Sequence, residues 1–218
     1  LEALLGKGAI PDDSEFSTGG VGLLGTKASQ QALEDCDTLL IVGSSFPYIE
    51  FYPKPGQARA VQIDLDPARI GLRYPVEAAL VGDSARVLDE LLPRLEAKRD
   101  RSFLESAQKE MLAWRELMQE RGTRTDMPMK PQVVTWELDR LLTDDAIVAT
   151  DSGTITTWVA RNVTMRADRK FSCSGTWRRW PAGCRMRSPR RLRIRSGRSS
   201  RSSATAASRC CSANWPPA

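Results

Sequence analysis

Two short apolar runs constrain this chain most. Leu39-Leu40-Ile41-Val42 stops against Gly43-Ser44-Ser45, and Ala60-Val61-Gln62-Ile63 stops against Asp64-Leu65-Asp66. Short, largely apolar runs bounded by turn formers predict strands of a parallel sheet buried on both faces. Ligands of such sheets sit at the carboxyl ends of the strands, where these Gly, Ser and Asp residues fall. A Gly-Ser-Ser turn lets backbone approach a phosphate, and an acidic residue at the next strand end can accept from a ribose hydroxyl. The alternative is a strand–turn pair with no ligand, since a Gly-Ser turn has low specificity. Between the runs, Phe46-Pro47-Tyr48 and Phe51-Tyr52-Pro53 gather aromatic rings in one loop. That loop either walls a flat ring system or packs on itself.

The pattern repeats outward from this stretch. Gly19-Gly20-Val21-Gly22-Leu23-Leu24-Gly25 precedes a helix expected over 28–34, and glycine there permits positive φ and close backbone approach. The segment is either a phosphate- or ring-contacting loop or a flexible connection. Leu1 to Leu5 read as a helix end, and Pro11 to Ser14 as a turn. Asp66, followed by Pro67, reads as the cap of a short helix. Ala79-Leu80-Val81 is a third strand; Gly82-Asp83 ends it and opens a helix through Leu88, Leu91 and Leu92. From Arg99 to Arg121, Phe103, Ala107, Met111, Trp114 and Met118 recur at helical spacing, and a polar loop with Pro128 follows. A second α/β unit starts at Pro131, with Val134, Leu138, Leu141 and Leu142 as the expected buried helix face. The strand Ala146–Thr150 then runs into Asp151-Ser152-Gly153-Thr154 and a helix through Trp158 and Val159. A helix N-terminus of that kind favours anions. Phe171 to Ser174 reads as one more strand.

Composition removes several chemistries. The 218 residues contain no His, so neither a His-based triad nor a His general base is available within them. The five Cys (36, 173, 184, 210, 211) lack zinc-type spacing, and a reducing, cytoplasmic setting is expected. No apolar run approaches the roughly 20 residues that span a bilayer, and no signal-peptide layout is expected at the start. The formal net charge of +5 divides sharply along the chain. From Trp177 onward there are 11 Arg, no Lys and no acidic residue; removing those from 32 basic residues leaves 21 against 27 acidic ones, a net of −6. A mildly acidic α/β protein is thus followed by an Arg/Ser-rich tail.

Taken together, GGVGLLG (Gly19 to Gly25), DTLLIVGSSFPY (Asp37 to Tyr48), VQIDLDPARIG (Val61 to Gly71), ALVGD (Ala79 to Asp83) and DDAIVATDSGTITTWVAR (Asp144 to Arg161) give a resemblance to thiamine-diphosphate-dependent 2-oxo acid enzymes. The chain most resembles the FAD-containing pyruvate oxidase and quinone-dependent pyruvate dehydrogenase subgroup, with acetolactate synthase as a relative. The resemblance covers residues 1–176. It implies an α/β fold: a partial doubly wound parallel sheet, as in a Rossmann-like central domain, then the start of a second α/β domain. The implied boundaries are 1–98 for the C-terminal part of an FAD-binding-type central domain and 99–130 for a linker helix and loop. Residues 131–176 would begin the thiamine-diphosphate-binding domain, and 177–218 would be a disordered tail.

The resemblance also implies site residues. Gly22, Leu23 and Gly25 would give backbone approach to FAD, Gly43, Ser44 and Ser45 would contact it, and Phe46, Pro47 and Tyr48 would pack beside it. Asp64 and Asp83 would accept from ribose or adenine, and Asp66 belongs to the same cofactor-binding segment, with helix capping as the alternative for Asp66 and Asp83. Asp151, Ser152, Gly153 and Thr154 would reach the thiamine diphosphate. The implied cofactors are thiamine diphosphate, Mg²⁺ and FAD. The implied activity is decarboxylation of pyruvate or a similar 2-oxo acid by a flavoprotein oxidoreductase. The alternatives are an acetolactate synthase-type carboligase (a transferase) and a non-catalytic nucleotide- or polyanion-binding fragment. The intact family implies a homo-oligomer, dimer or tetramer, and no specific nucleic acid; peripheral membrane contact of the intact protein stays open. The pyrimidine domain and its activating glutamate are outside these 218 residues, so the chain is expected to be inactive alone; no catalytic or metal residue is assigned.

After Thr176 the family pattern stops. A one-base shift of reading frame, with GC-rich codons, lets Trp177 to Arg187 come from Leu-Ala-Thr-Met-Ala-Gly-Gly-Leu-Pro-Tyr-Ala. The same shift lets Ser203 to Pro217 come from Val-Gly-Asp-Gly-Gly-Phe-Ala-Met-Leu-Leu-Gly-Glu-Leu-Ala-Thr. Both strings match the family's continuation, whose Gly-Asp-Gly begins the Mg²⁺–diphosphate signature. The alternative is a natural Arg/Ser-rich segment that binds polyanions.

Overall fold

The computed structural model describes residues 1–173. The tail from Ser174, with Cys184, Cys210 and Cys211, lies outside the described residues. The described residues form two compact units, one of Thr18–Trp114 with Leu1, the other of Glu2–Ser17 with the described chain from Arg115.

The first unit holds a three-stranded parallel sheet in sequence order. Helix α1 (Lys27–Asp35) leads into β1 (Thr38–Val42), then β2 (Arg59–Asp64), β3 (Ala78–Val81) and α2 (Ser84–Leu91). β1 and β2 pair with Leu39 opposite Ala60 and Val42 opposite Ile63; β2 and β3 pair with Asp64 opposite Val81. The strands and both helices fall where the apolar runs predict, and Asp66 and Asp83 cap the 3-10 turn at Pro67–Arg69 and α2 as expected. The two crossovers carry only single 3-10 turns, at Ile49–Phe51 and Pro67–Arg69. A 3-10 turn also stands at Leu4–Gly6, where a helix end was expected.

One sheet face is well packed. Leu39 and Ile41 of β1 join Ala60, Leu33 of α1, Val21, Cys36, Ala58 and Tyr74 in a core, with Phe46, Tyr52 and Val76 against it. The expectation of burial on both faces fails for β1, whose residues alternate between exposed and buried. Leu40 is 46 % and Val42 38 % exposed, while Ile63 on the neighbouring strand is fully covered. The physical reason is coverage: among the described residues no α-helix forms the β1–β2 crossover, so the outer end of that face has no lid.

α3 (Ser102–Gly122) runs from the first unit into the second. Met111, Trp114 and Met118 lie on its covered side as the spacing predicts, whereas Phe103 is 46 % exposed.

The second unit contains α4 (Pro131–Leu141), β4 (Ile147–Thr150), α5 (Thr154–Asn162) and β5 (Lys170–Cys173). β4 and β5 pair in parallel, with α5 as the crossover. Val148, Val159, Val163 and Met165 form its core, flanked by Leu142 and Phe171. The expected buried face of α4 is corrected here. Thr135 is the buried residue, while Val134, Leu138 and Leu141 point outward, Leu141 at 80 % exposure. Only Leu142 packs inward. The reason is the helix's end, which Arg169 fixes. Its guanidinium, with a fully buried side chain, pairs with Asp139 at 2.6 Å and donates to the carbonyls of Asp139, Leu142, Thr143 and Thr164. That grip turns the Asp139 side inward and sets the helix's rotation against its apolar stripe.

Residues 2–17 pack into this unit through backbone and charge. Asp12 exchanges two bonds of 2.7 Å with Met165: its N–H donates to the Met165 carbonyl, and its carboxylate accepts from the Met165 N–H. The same carboxylate accepts from Lys7 at 2.9 Å in a nearly buried ion pair. No helix among the described residues is long and apolar enough to cross a membrane.

Candidate functional site

The carboxyl edge of the three-stranded sheet gathers most of the residues singled out above, because parallel strands end on one side. At the end of β1, Gly43 has φ +56°, a left-handed conformation suited to glycine, and no atom stands within 4 Å of where a Cβ would be. Its N–H donates to the Ile63 carbonyl, so the turn is tied to β2. Ser44 and Ser45 follow, half-buried. Phe46 then turns back over the edge, and Gly22 of the glycine loop meets it; a Cβ on Gly22 would lie 2.7 Å from the Phe46 ring. The glycine loop and the β1 turn therefore form one feature.

At the end of β2, Asp64 is buried, and its carboxylate accepts from the Asp66 N–H at 3.0 Å. Its carbonyl accepts from the Gly82 N–H at the end of β3. Asp66 caps the 3-10 turn through the Ala68 N–H and pairs with Arg69. Asp83 caps α2 through the Arg86 N–H at 3.2 Å. Both exposed aspartates are thus engaged as caps, the alternative weighed for them, while Asp64 is the carboxylate held within the edge.

The aromatic loop resolves toward self-packing. Phe46 contacts Tyr48, Phe51 and Tyr52 at centroid distances of 5.5, 6.3 and 5.8 Å, and Tyr52 stacks on Tyr74 at 5.7 Å. The Tyr52 hydroxyl donates to the Phe46 carbonyl, and burial pushes its pKa above the ordinary phenol value. Pro47 and Tyr48 lie exposed at the rim, as does Leu23 at the tip of the glycine loop.

Below that tip the loop is anchored. The Gly25 N–H donates to the Gly22 carbonyl at 2.8 Å, and the Thr26 N–H to the Gly20 carbonyl at 2.9 Å. The Thr26 hydroxyl donates to the Thr18 carbonyl at 2.6 Å and accepts from the Ser29 N–H, capping α1. Thr18, Thr26 and Ser29 escaped the reading of the sequence. A Thr just before a helical run is a visible cap signal, but the bond of its hydroxyl back to Thr18 is not local.

The second unit presents a separate feature. Asp151 and Ser152 end β4, half-buried, and Gly153 adopts φ +112° with open space where a Cβ would stand. α5 begins at Thr154 without a side-chain N-cap bond. The Thr156 hydroxyl donates back to the Asp151 carbonyl, which fixes the turn. Helix-terminal N–H groups behind a glycine with open space form a surface that an anionic group can approach. Among the described residues no group of three or more Cys, Asp or Glu side chains could hold a metal ion.

Comparison with known proteins completes the picture. Residues 1–91 match the thiamine pyrophosphate enzyme central domain. A Bacillus subtilis (strain 168) protein described as thiamine pyrophosphate-containing, YdaP, is 42 % identical over 168 residues, 77 % of this chain and 29 % of its own length. The acetolactate synthase large subunit of Haemophilus influenzae is 32 % identical over 69 % of this chain and 27 % of its own length. That of Pyropia yezoensis is 29 % identical over 79 % of this chain and 30 % of its own. The chain thus spans about a third or less of these curated relatives. Thiamine pyrophosphate is the thiamine diphosphate of the motif reading, and the chain belongs to the thiamine pyrophosphate-dependent enzyme family.

Proposed function

We propose that this chain supplies two cofactor-facing parts of a thiamine diphosphate- and FAD-dependent enzyme that decarboxylates pyruvate or a similar 2-oxo acid. Residues 1–98 would contribute half of the FAD site, and residues 131–176 the start of the thiamine diphosphate site. The observation that carries the reading is the meeting of Gly22 with Phe46 over an open Gly43 turn, beside the buried Asp64. A dinucleotide needs backbone that can come close, N–H groups for its phosphates and a carboxylate for its ribose; this edge has all three kinds of group.

In this reading the Gly22–Gly25 and Gly43–Ser45 backbones bind the diphosphate and Asp64 orients the nucleoside. Phe46, Pro47 and Tyr48 exclude water from one flank, and Leu23 extends the apolar rim. Asp66 and Asp83 hold the turns on which the edge depends. At the other site, the α5 N-terminus behind Asp151, Ser152, Gly153 and Thr154 takes up phosphate charge. Thiamine diphosphate would supply the carbon nucleophile of the decarboxylation; among the described residues no side-chain group fits Mg²⁺. The enzyme acts as a cytoplasmic homo-oligomer, and the 218-residue chain alone does not turn over substrate.

The second reading is an acetolactate synthase-type carboligase, in which FAD is structural. The acetolactate synthase names of several relatives favour it. FAD titration of the purified chain, followed by flavin fluorescence, tests what the two readings share. Saturable binding that weakens in Asp64→Asn is expected; no binding at millimolar FAD would sink the nucleotide-site assignment. Joining the chain to the remaining length of a full-length family member and assaying pyruvate with and without an electron acceptor separates oxidase from carboligase.

A further inference from the structure

We propose that Thr26 and Ser29 are positioning residues that shape the glycine loop before any ligand arrives. The inference rests on the reading of the sheet's carboxyl edge as a nucleotide site, and it assigns to that site residues outside the glycine and aspartate set.

Thr18, Thr26 and Ser29 are each buried, Ser29 completely. Three hydroxyls in so dry a place must pair with one another or with backbone. They do both. The Ser29 hydroxyl lies 2.9 Å from that of Thr18, 2.8 Å from the Thr18 carbonyl and 3.0 Å from the Gly19 carbonyl. A hydroxyl has one proton to give. All three contacts are satisfied when Thr18 donates to Ser29 and Ser29 shares its proton between the two carbonyls. The Thr26 hydroxyl takes the other side of the Thr18 carbonyl and, with its own N–H on Gly20, closes the loop into a ring.

The first turn of α1 therefore holds the carbonyls of Thr18, Gly19 and Gly20, and Gly25 holds that of Gly22. A trans peptide points its N–H opposite to its C=O. With the carbonyls of Thr18, Gly19, Gly20 and Gly22 held toward the loop's base, the peptide groups that carry them turn their N–H sides the other way, while the Gly25 and Thr26 N–H groups close the loop. Space is locked with the bonds. The Thr26 methyl lies 2.9 Å from where a Gly19 Cβ would stand, and a Gly25 Cβ would press on the Gly20 carbonyl oxygen. Thr26 thus acts twice, through its hydroxyl and its methyl.

A preorganised loop leaves a distinct kinetic mark. If the variants populate the binding-competent loop less often, the FAD on-rate falls by that fraction and the off-rate stays constant. Loss of a direct contact raises the off-rate instead. Amide exchange of residues 19–25 in the ligand-free full chain, and stopped-flow FAD binding, test this in Ser29→Ala, Thr26→Val and Thr26→Ser. Ser29→Ala and Thr26→Val should each speed loop exchange about tenfold, the loss of roughly one buried hydrogen bond. They should slow FAD association by the fraction of closed loop lost, which the same exchange rates give, with strand amides of β1 and β2 unchanged. Thr26→Ser keeps the hydroxyl and should restore the on-rate to within about threefold of wild type. Thr18→Val, which removes only the hydroxyl pair, is the milder variant should the others fail to fold, with an effect of about threefold. Unchanged loop exchange in these variants, or a raised off-rate with an unchanged on-rate, overturns the proposal. If wild type binds no FAD, the nucleotide reading falls while the exchange arm still decides whether these hydroxyls preset the loop.

Discussion

Gly25 and Gly43 are glycines for different reasons, and substitution should separate them. Gly25 is buried at the base of its loop, where a Cβ would collide with backbone of Gly20 and Val21. Backbone cannot step aside as a side-chain end can, so Gly25→Ala is expected to cost about 1–3 kcal/mol, as other overpacking changes do. Gly43 has space and is constrained only by its positive φ. Gly43→Ala should cost about 1 kcal/mol, and Gly43→Asn less, because Asn tolerates that region. Urea denaturation of the three variants checks the order; a Gly43→Ala loss as large as that of Gly25→Ala would contradict it. Glu2 yields a second prediction at this scale. Burial pushes its carboxyl above the ordinary value of 4.5, the Asp12 carboxylate adds to the rise, and Lys7 and the Gly8 N–H oppose it. Its Oε1 is buried without a hydrogen-bond partner, while Oε2 accepts from Gly8 at 3.0 Å. A raised folded pKa means that the native state holds the proton more tightly than the unfolded one. The stability linked to Glu2 is therefore full below the unfolded pKa and is lost as pH rises through the folded pKa. Glu2→Gln, which keeps an acceptor for Gly8, should melt higher than wild type at pH 7, with the gap closing as pH falls toward 4.5. Melting curves shifted in parallel at every pH would contradict this.

Among the elements, α4 depends on a single side chain. Arg169 ties the last turn of α4, the following loop and the residues after α5 together through Asp139, Leu142, Thr143 and Thr164. Arg169→Met keeps much of the volume but takes the cation from the Asp139 carboxylate, leaving it only the Thr164 N–H, and removes a donor from several carbonyls. The expected loss is about 3–5 kcal/mol, the range for removing one partner of a buried ion pair. Adding Asp139→Asn should recover part of it, since the stranded charge is then gone. Chemical denaturation of the single and double variants measures both; a single-variant loss under about 1 kcal/mol, typical of exposed pairs, would refute the role. Arg169 also marks the limit of what the chain's pattern discloses. Strand positions were legible because Gly43, Asp64 and Gly82 stop apolar runs abruptly, α1 because it follows the glycine run, and α2 and the 3-10 turn at Pro67 because Asp83 and Asp66 cap them locally. The spacing of Val134, Leu138 and Leu141 shows that they share a face, but not which way that face turns. Orientation is decided by Arg169, some 30 positions away from Asp139. Likewise the run Leu39–Val42 reads as apolar on both sides, yet what covers each side is a tertiary matter. The glycine and aspartate positions of the site were visible as local signals, whereas the Thr18–Thr26–Ser29 ring, closed by side chain to backbone bonds across the loop, was not.

Taken whole, the chain joins two electrostatic materials, and this bears on what it will bind. Residues before Trp177 carry a net −6, and the 42 residues from Trp177 carry eleven positive charges and no negative ones. Family membership rests on the first material, since the central-domain match ends at residue 91 and the quoted motifs end at Arg161. The second material accounts for the whole of the basic isoelectric point near 9.1. Affinity for polyanions should therefore reside in the tail and carry no sequence preference. Counterion release makes such binding fall steeply with salt, with a slope of log K against log salt of about −0.9 per phosphate neutralised on duplex DNA. The full chain is expected to bind heparin and unrelated DNA duplexes with equal affinity at low salt, and to release both as salt is raised. A chain ended after Thr176 should bind neither, because its net charge is negative, and should keep its FAD affinity if the nucleotide reading holds. Restoring the alternative frame, so that Gly-Asp-Gly-Gly replaces the Arg-rich residues, should abolish polyanion binding in the same way while adding family sequence. Fluorescence anisotropy with labelled duplexes across a salt series checks all three chains. Sequence-selective binding, or retention by the shortened chain, would show that the acidic α/β part carries a nucleic-acid surface of its own and that the division by charge does not describe this molecule.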